Sequence, residues 1–369
     1  MIECRTIKEL CSVVVDCPHS TPTWTAEGKI VVRNNNIKNG RIDFSSPSYT
    51  DDEQYQQRIK RATPQGGDII ITREAPMGEV GMIPEGIVCC LGQRMVLLRA
   101  NPDICDNYYL LYSLQSRYVQ HQISWSEGTG TTVSNLRIPH LEQLKIPYLP
   151  LSQQRQVSSV LRCLEEKIKH NRVINDNLQQ QAQAIYASMF VDNAEPTWKQ
   201  GHLSDFVIVR YGKDHKKLAD GIYPVYGSGG IMRHVERPLY DKESVLIPRK
   251  GTLNNVMYVN QPFWSVDTMF YTEMRLPNVA KFVYHFVKAK DLAAMNAGSA
   301  VPSMTTDILN AMEIAIPPAT VLEEFESLVA PMYRAMQGND AQSKKLADLR
   351  NALLPKLMSG EIDVSDIQL

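Results

Sequence analysis

The feature that most constrains this chain is an internal duplication. The segment GTGTTVSNLRIPHLEQLKIPYLPLSQQ over 128–154 aligns without a gap with NAGSAVPSMTTDILNAMEIAIPPATVL over 296–322. Upstream, DIIITREAPMGEVG over 68–81 matches SVLIPRKGTLNNVM over 244–257, which places Arg73 on Arg249. Two matched blocks in the same order predict two modules of one design.

A long helix is predicted after each copy of the block. The first covers 152–190, and its apolar positions recur in steps of three and four: Val157, Leu161, Leu164, Ile168, Leu178, Ala182, Ile185 and Met189. The same offset gives a second series: Phe325, Val329, Met332, Met336, Leu346, Leu353 and Leu357. Both series are interrupted by a polar centre, where Asn171 coincides with Asn339.

Two interpretations of these helices stay open. Each helix could cover the core of its own module, or the two could pair with each other. A helix of about 37 residues spans about 55 Å, more than the width of a small domain, which favours pairing. A matched buried Asn would then fix the register. Because 171–177 holds weak helix formers, a kink is possible there.

The rest of the chain alternates short strand-like runs with Gly, Pro and Asn turns. Strands are predicted over 29–33, 68–72, 95–99, 244–248 and 269–272, and short helices over 107–126 and 279–295. The predicted fold is α/β (α+β), with two strand-rich domains separated by a pair of long antiparallel coiled-coil helices. The predicted division is a first module over 1–150, a long helix over 151–195, a second module over 196–318, and a second helix with its tail over 319–369.

Composition is that of an ordinary globular protein. Of 369 residues, 43% are hydrophobic and 21% are charged. No apolar run approaches the roughly 18 residues of a membrane span, and no signal peptide is evident, so a cytoplasmic location is expected. The seven cysteines show no zinc-site spacing and are expected to be free thiols, many of them buried.

Common catalytic motifs are missing from the sequence. It has no phosphate-binding GxxxxGK[ST] loop, no HExxH metal motif, and no NPPY-type motif with which amino-methyltransferases hold a flipped base. The glycine-rich stretch 227–230 is predicted to be a tight turn. The nuclease-like ExK at 165–167 is predicted to lie on a solvated helix face. The chain is therefore expected to bind rather than catalyse, with no metal and no cofactor of its own.

Polar side chains beside the predicted strands suit the edges of DNA bases, since Arg matches guanine and Asn or Gln matches adenine. Small hydroxyls in the Gly-rich loops suit phosphates. Any one of these residues could instead stabilise a turn. The candidates are Arg33, Asn34, Asn35, Arg73, Gln93, Arg94, Thr131, Thr132, Ser228, Arg249, Lys250, Asn254, Asn255, Ser299 and Ser303.

Charge gives DNA binding little support. The formal net charge is −1, where a basic footprint is expected of a nucleic-acid binder. Residues 198–318 are slightly basic, with about 14 Lys and Arg against about 11 Asp and Glu. A neutral total is compatible with DNA binding if the basic residues gather on one face, or if a partner supplies the phosphate contacts.

Several strings resemble one known family, the specificity subunits of type I restriction–modification systems. Residues 223–273, with VYGSGG, RKGTLNN and FWSVDTMFY, resemble the second target-recognition domain, and 16–44 resembles the start of the first. Residues 146–190 resemble the central conserved helix of the family. LRNALLPKLMSGEI over 349–362 resembles its C-terminal counterpart.

The resemblance implies a non-catalytic subunit in which each recognition domain reads one half of a bipartite double-stranded DNA site. It implies that the helices space the two domains and dock two methyltransferase subunits, and that restriction and translocase subunits join the complex. S-adenosylmethionine, with ATP and Mg²⁺ for restriction, is expected on those partners. No base contact transfers by motif, because recognition domains diverge with their targets.

Two other hypotheses belong to different classes. A scaffold or regulator could use the same fold to recognise proteins; absence of a neighbouring methyltransferase gene and of any affinity for duplex DNA would favour it. A single chain fusing methylation, cleavage and recognition would carry the catalytic motifs that are missing here.

Overall fold

The computed structural model describes residues 3–38, 40–125, 135–295 and 303–362. Contacts divide the chain into two units, here called unit 1 (Met1–His170 with Gln342–Leu369) and unit 2 (Asn171–Ala341). Both boundaries fall inside the long helices, so each unit contains one half of each helix. Contacts assign each half-helix to the module on which it packs, and the predicted division into modules and separate helices stays a prediction.

The described strands are short. In chain order they are β1 Cys4–Thr6, β2 Cys11–Asp16, β3 Lys29–Val32, β4 Ile37–Lys38, β5 Arg41–Ile42, β6 Ser48–Thr50, β7 Ile69–Thr72, β8 Val80–Met82, β9 Cys89–Leu91, β10 Met95–Ala100, β11 Lys145–Pro147, β12 Lys199–His202, β13 Val207–Tyr211, β14 Asp220–Gly227, β15 Gly230–Val235, β16 Ser244–Pro248, β17 Met257–Val259, β18 Trp264–Ser265, β19 Met269–Met274 and β20 Glu313–Ile316.

Two helices are far longer than the others. The helices are α1 Ile7–Leu10, α2 Asp52–Arg58, α3 Asn107–Gln115, α4 Arg117–Ser124, α5 Ile138–Gln143, α6 Leu151–Ala187, α7 Leu203–Phe206, α8 Ala280–Lys288, α9 Thr306–Asn310 and α10 Ala319–Met358. Within the described residues, no helix is both long enough and apolar enough to cross a membrane.

Unit 1 is built on a four-stranded antiparallel sheet in the order β2-β10-β7-β8. The run Ile69–Thr72 (β7) is an inner strand of this sheet, and all four of its residues are buried. A second sheet has the order β6-β3-β9, in which β3 and β9 run parallel. Strands β1 and β11 form a separate pair. Parallel neighbours bring their carboxyl ends to the same sheet edge, which matters for the site below.

Unit 2 repeats this topology. Its four-stranded sheet has the order β13-β19-β16-β17, its three-stranded sheet the order β15-β14-β18 with β14 parallel to β18, and its separate pair is β12-β20. Even single hydrogen bonds recur: the amide of Leu136 donates to Arg73 O, and the amide of Met304 donates to Arg249 O. The predicted duplication is confirmed.

In unit 1 the two half-helices pack on each other and on α3. Val157 and Leu161 of α6 join Leu357 and Met358 of α10 in one buried cluster. Glu165 was predicted on a solvated face, and this is wrong: its side chain is only 16% exposed. Its two oxygens accept from Arg350 (Nη1, 3.1 Å) and from the hydroxyl of Tyr112 (3.1 Å).

In unit 2 the other two halves also pair. Tyr186 and Phe190 of α6 contact Phe325 of α10. In each unit, rising numbers on α6 meet falling numbers on α10, so the paired halves run antiparallel. The predicted seam positions Ile185, Met189 and Met332 are only half-buried, and their neighbours Tyr186, Phe190 and Tyr333 are buried. An α-helix drifts against a strict seven-residue repeat, which explains this one-residue shift.

The polar centre also lies in unit 2, and the helix passes through 171–177 without a break. Asn171 Nδ2 donates to the carbonyl of Asn339 (3.3 Å), and Asn339 Nδ2 donates to Asn175 Oδ1 (2.8 Å). Asn175 Nδ2 donates to Asp340 Oδ1 (2.8 Å). These bonds satisfy polar groups that would otherwise be buried unpaired, and they hold one register between the half-helices.

Candidate nucleic-acid interface

Five predicted residues of unit 1 line a single cleft. The carboxyl ends of β3 and β9 lie side by side, so the turn after β3 meets the loop between β9 and β10, and Gly92 donates its amide to Val32 O (2.8 Å). The cleft has a volume of about 440 Å³ and is lined by Thr21, Pro22, Trp24, Arg33, Asn34, Asn35, Ala75, Gly92, Gln93 and Arg94.

One wall of this cleft presents a cation beside an aromatic ring. Arg33 is exposed, and its guanidinium carbon lies 5.1 Å from the ring centre of Trp24, which is itself 44% exposed. Asn35 is also exposed. A guanidinium held on an indole is pre-oriented to present its donors to a base edge. Trp24 was not predicted, since sequence alone does not tell an exposed tryptophan from a buried one.

On the other wall, several polar side chains already bond to other residues of the protein. Arg94 has a left-handed backbone (φ +64°) and pairs with Glu74 (3.2 Å). Asn34 Nδ2 donates to the carbonyl of Glu74 (2.7 Å), whereas its buried Oδ1 has no hydrogen-bond partner in the described structure. Gln93 Nε2 donates to His19 O.

The equivalent edge of unit 2 carries a different set. Arg249 Nη1 donates to Asp267 O (3.3 Å), and the Arg249 guanidinium lies over the ring of Tyr211 at 5.3 Å. Tyr211 is 52% exposed, and Lys250 is exposed beside it. Lys250 also forms a bridge pair with Ser303. This edge therefore presents a ring, a guanidinium and an ammonium to solvent.

Two predicted asparagines of unit 2 shape the edge. Asn254 donates to Asp291 Oδ1 (3.0 Å) and accepts from the amide of Ala293 (3.0 Å). Asn255 Nδ2 donates to the carbonyl of Ser228 (2.8 Å), which joins the 249–255 loop to the turn between β14 and β15. Residues 227–230 thus form the tight turn that was predicted. The remaining candidates Thr131, Thr132 and Ser299 lie outside the described residues.

Arg73 and Arg249 occupy equivalent positions with different partners. The amide of Arg73 donates to Arg94 O, as that of Arg249 does to Thr268 O. Arg73 Nη1 contacts both oxygens of Asp16 (3.1 and 3.0 Å), and its side chain is only 12% exposed. The structure thus places Arg73 in an internal ion pair, apart from the exposed candidates.

Because Arg73 is in an internal ion pair and Arg249 is not, we expect alanine at 73 to lower stability and alanine at 249 to lower DNA affinity. Arg73→Ala removes the guanidinium from the largely buried Asp16 and leaves only the imidazole of His19 (3.0 Å) beside that carboxylate, so unit 1 should lose about 2–3 kcal/mol of stability. Arg249→Ala should leave stability within about 0.5 kcal/mol and weaken DNA binding. Hydrogen exchange in strands β7 and β16 reports stability, and duplex titration reports affinity. Equal stability losses in the two variants would contradict the assignment.

A basic segment near this edge of unit 2 was missed. Lys213, Lys216 and Lys217 are exposed on the loop after β13. The loop is fixed by Trp264, whose indole N–H donates to Lys213 O (2.8 Å). Trp264 itself is buried. The charge run was visible in the sequence, but its position beside Arg249 depends on strand pairing.

Among the described residues, no cluster of His, Cys, Asp and Glu could hold a metal ion. Burial raises the pKa of the Cys89 thiol to about 12 and that of Cys90 to about 11, so neither is a thiolate at neutral pH.

A family model decides the classification. The model described as "Type I restriction modification DNA specificity domain" matches residues 3–180 and 195–323. The chain belongs to this family. As a specificity subunit it is the non-catalytic component of a type I restriction–modification system.

Individual relatives agree with this membership. The MjaIX type I restriction enzyme specificity subunit of Methanocaldococcus jannaschii is 23% identical over 345 residues, covering 82% of this chain and 79% of the relative. A putative type I specificity subunit of Mycoplasma pneumoniae is 22% identical over 290 residues, covering 73% and 76%. The crystal structure of an S subunit from M. genitalium shares the fold, with a TM-score of 0.61 at 18% identity, covering 97% of this chain and 96% of that one.

Proposed function

We propose that this specificity subunit reads a bipartite double-stranded DNA site, with one half-site assigned to each unit. One observation carries the proposal. In each unit an arginine beside an exposed aromatic ring lies next to the carboxyl ends of the parallel strand pair: Arg33 beside Trp24 in unit 1, and Arg249, which donates to Asp267 O after β18, beside Tyr211 in unit 2. Arginine reads guanine in the major groove through its two parallel donors.

The two half-sites should differ in sequence. The scaffold of the edge recurs between the units, but the side chains on it do not. Asn34 occupies the position of Ser228, and Gln93 that of Asp267, as the recurring main-chain hydrogen bonds show. Because each base is read by the donors and acceptors that face it, different side chains select different bases.

The remaining parts of the proposal concern partners. We propose that the long helices α6 and α10 space the units and dock two methyltransferase subunits, which bind S-adenosylmethionine. Restriction subunits using ATP and Mg²⁺ complete the complex. Such partners would supply phosphate contacts that a chain of net charge −1 lacks. Since the substrate is host DNA, the proposed place of action is the cytoplasm.

Substituting Arg33 should affect one half-site only. Loss of a bidentate base contact costs about 1–3 kcal/mol of discrimination, so Arg33→Ala should relax specificity about 5- to 150-fold at one position of the first half-site. Competition binding with single-base variants of the site measures this. Lys8→Ala is the control, because Lys8 is exposed in unit 1 and does not line the cleft. Equal relaxation in both half-sites would count against the assignment.

Footprinting tests the proposal as a whole. The full chain is assembled with its methyltransferase subunits on a duplex that contains the motif. Two protected blocks of unequal sequence should appear, separated by bases whose identity does not matter. One continuous block, or no protection of any duplex, would refute the proposal and favour a protein-recognition scaffold.

A further inference from the structure

The hairpin of β14 and β15 exposes two consecutive aliphatic side chains near its tip. Ile231 is 54% exposed and Met232 is 61% exposed. In a regular strand, neighbouring side chains point to opposite faces, so burying one face would bury one of the two. A local departure from the strand pattern turns both side chains to solvent here.

A β-bulge supplies that departure. Ile231 pairs with Tyr226 and Arg233 pairs with Val225, so Met232 is an extra residue with no residue opposite it. Bulges redirect side chains and recur beside functional sites. Gly227 makes room for the redirected side chain, because a Cβ at this position would lie 2.6 Å from Met232 Sδ.

The tip of the β14–β15 hairpin is held against the 249–255 loop, which carries Arg249 and Lys250. Ser228 O accepts from Asn255, and Gly251 passes so close that a Cβ there would lie 2.7 Å from Ser228 Oγ. Gly251 also has a left-handed backbone (φ +84°), which favours glycine. The tip is therefore held against the loop that carries Arg249 and Lys250.

Duplex DNA is the occupant that fits this combination of apolar tip and basic surroundings. A two-stranded ribbon enters the major groove, which is about 12 Å wide, but not a minor groove of about 6 Å. The apolar group exposed in the major groove is the C5 methyl of thymine. We propose that Ile231 and Met232 contact thymine methyl groups in the half-site read by unit 2; this rests on the proposed function.

Replacing thymine by deoxyuridine, which removes only the methyl group, tests the contact. The chain in complex with its methyltransferase subunits is titrated with duplexes in which each thymine of the site is replaced in turn. Burial of one methyl is worth about a four-fold change in affinity, so one or two positions of the second half-site should bind about four-fold more weakly.

The penalty must disappear when the tip is changed. The double variant Ile231→Ser, Met232→Ser should bind thymine and deoxyuridine duplexes equally, with unchanged fluorescence of buried Trp264 as the test of folding. Ile222→Ser is the matched control: Ile222 is 78% exposed at the other end of the same hairpin, and this variant should keep the penalty.

The outcomes separate the two proposals. If the wild type binds a bipartite site but shows no deoxyuridine penalty in the second half-site, or if the double variant keeps that penalty, the methyl contact is wrong and DNA reading stands. If the wild type binds no site in a sequence-specific way, both proposals are overturned. A deoxyuridine penalty that is present in the wild type and in Ile222→Ser but absent from the double variant supports the contact.

Discussion

Lys281→Met should lower the free energy of unfolding of unit 2 by about 3–5 kcal/mol, because it leaves the largely buried carboxylate of Glu326 without its cation. The Lys281 side chain is only 5% exposed. Its ammonium lies 2.7 Å from Glu326 and 3.1 Å from Glu243. The ammonium also lies 5.3 Å from the ring centre of Tyr258, whose hydroxyl donates to Glu243 (2.5 Å).

The distribution of tryptophans allows unit 2 to be measured alone. Trp24 and Trp125 belong to unit 1 and are largely exposed, whereas Trp198 and Trp264 are buried in unit 2. In a Trp24→Phe, Trp125→Phe background, urea unfolding followed by fluorescence therefore reports unit 2.

Two variants bracket the result for Lys281. Arg210→Met removes a solvent-exposed ion pair with Glu273 in the same unit and should leave the stability of unit 2 nearly unchanged. Lys281→Met combined with Glu326→Leu removes both buried charges and should recover most of the loss. A single Lys281→Met variant as stable as the Arg210→Met control would show that the buried pair contributes nothing.

Acidification should destabilise unit 2 through His285. This side chain is fully buried, with Nδ1 2.7 Å from Gln183 Oε1 and Nε2 2.9 Å from the hydroxyl of Tyr333. Burial lowers the pKa of His285 to about 4, from 6.5. The unfolded chain therefore takes up this proton at a higher pH than the folded unit does. The stabilisation is full above pH 6.5 and is lost as pH falls towards 4, by about 3 kcal/mol in total.

The same fluorescence background measures this pH dependence. Between pH 7 and pH 5, unit 2 should lose about 2 kcal/mol, and His285→Gln should remove that part of the slope. His234→Gln is the control, because His234 is exposed on β15 and its removal should leave the slope in place. An unchanged slope in His285→Gln would show that other groups cause the acid sensitivity.

Much of the fold could be predicted because its signals are local or repeated. The heptad series defined α6 and α10 to within a few residues, and the buried run Ile69–Thr72 read directly as a strand. The duplication carried each prediction from one half of the chain to the other. What periodicity missed was the one-residue shift at Ile185, Met189 and Met332, which comes from the geometry of a real helix.

The candidate site was less predictable, because a side chain's role depends on distant partners. Arg73 and Arg249 align in sequence, yet one meets Asp16 and the other Tyr211, each supplied by a strand far away along the chain. Glu165 was predicted to be solvated, but Arg350 and Tyr112, both distant in sequence, donate hydrogen bonds to its carboxylate. The bulge at Met232 leaves no signal in hydrophobic alternation.

Methylation sequencing of the host genome, with and without this gene, tests the central claim most directly. The chain should direct DNA methylation to one motif of two unequal halves separated by a fixed spacer, and Arg33→Ala should relax only one half. Loss of the gene should abolish methylation at that motif. A methylation pattern unchanged by loss of the gene, or a motif with a single continuous block, would contradict the account.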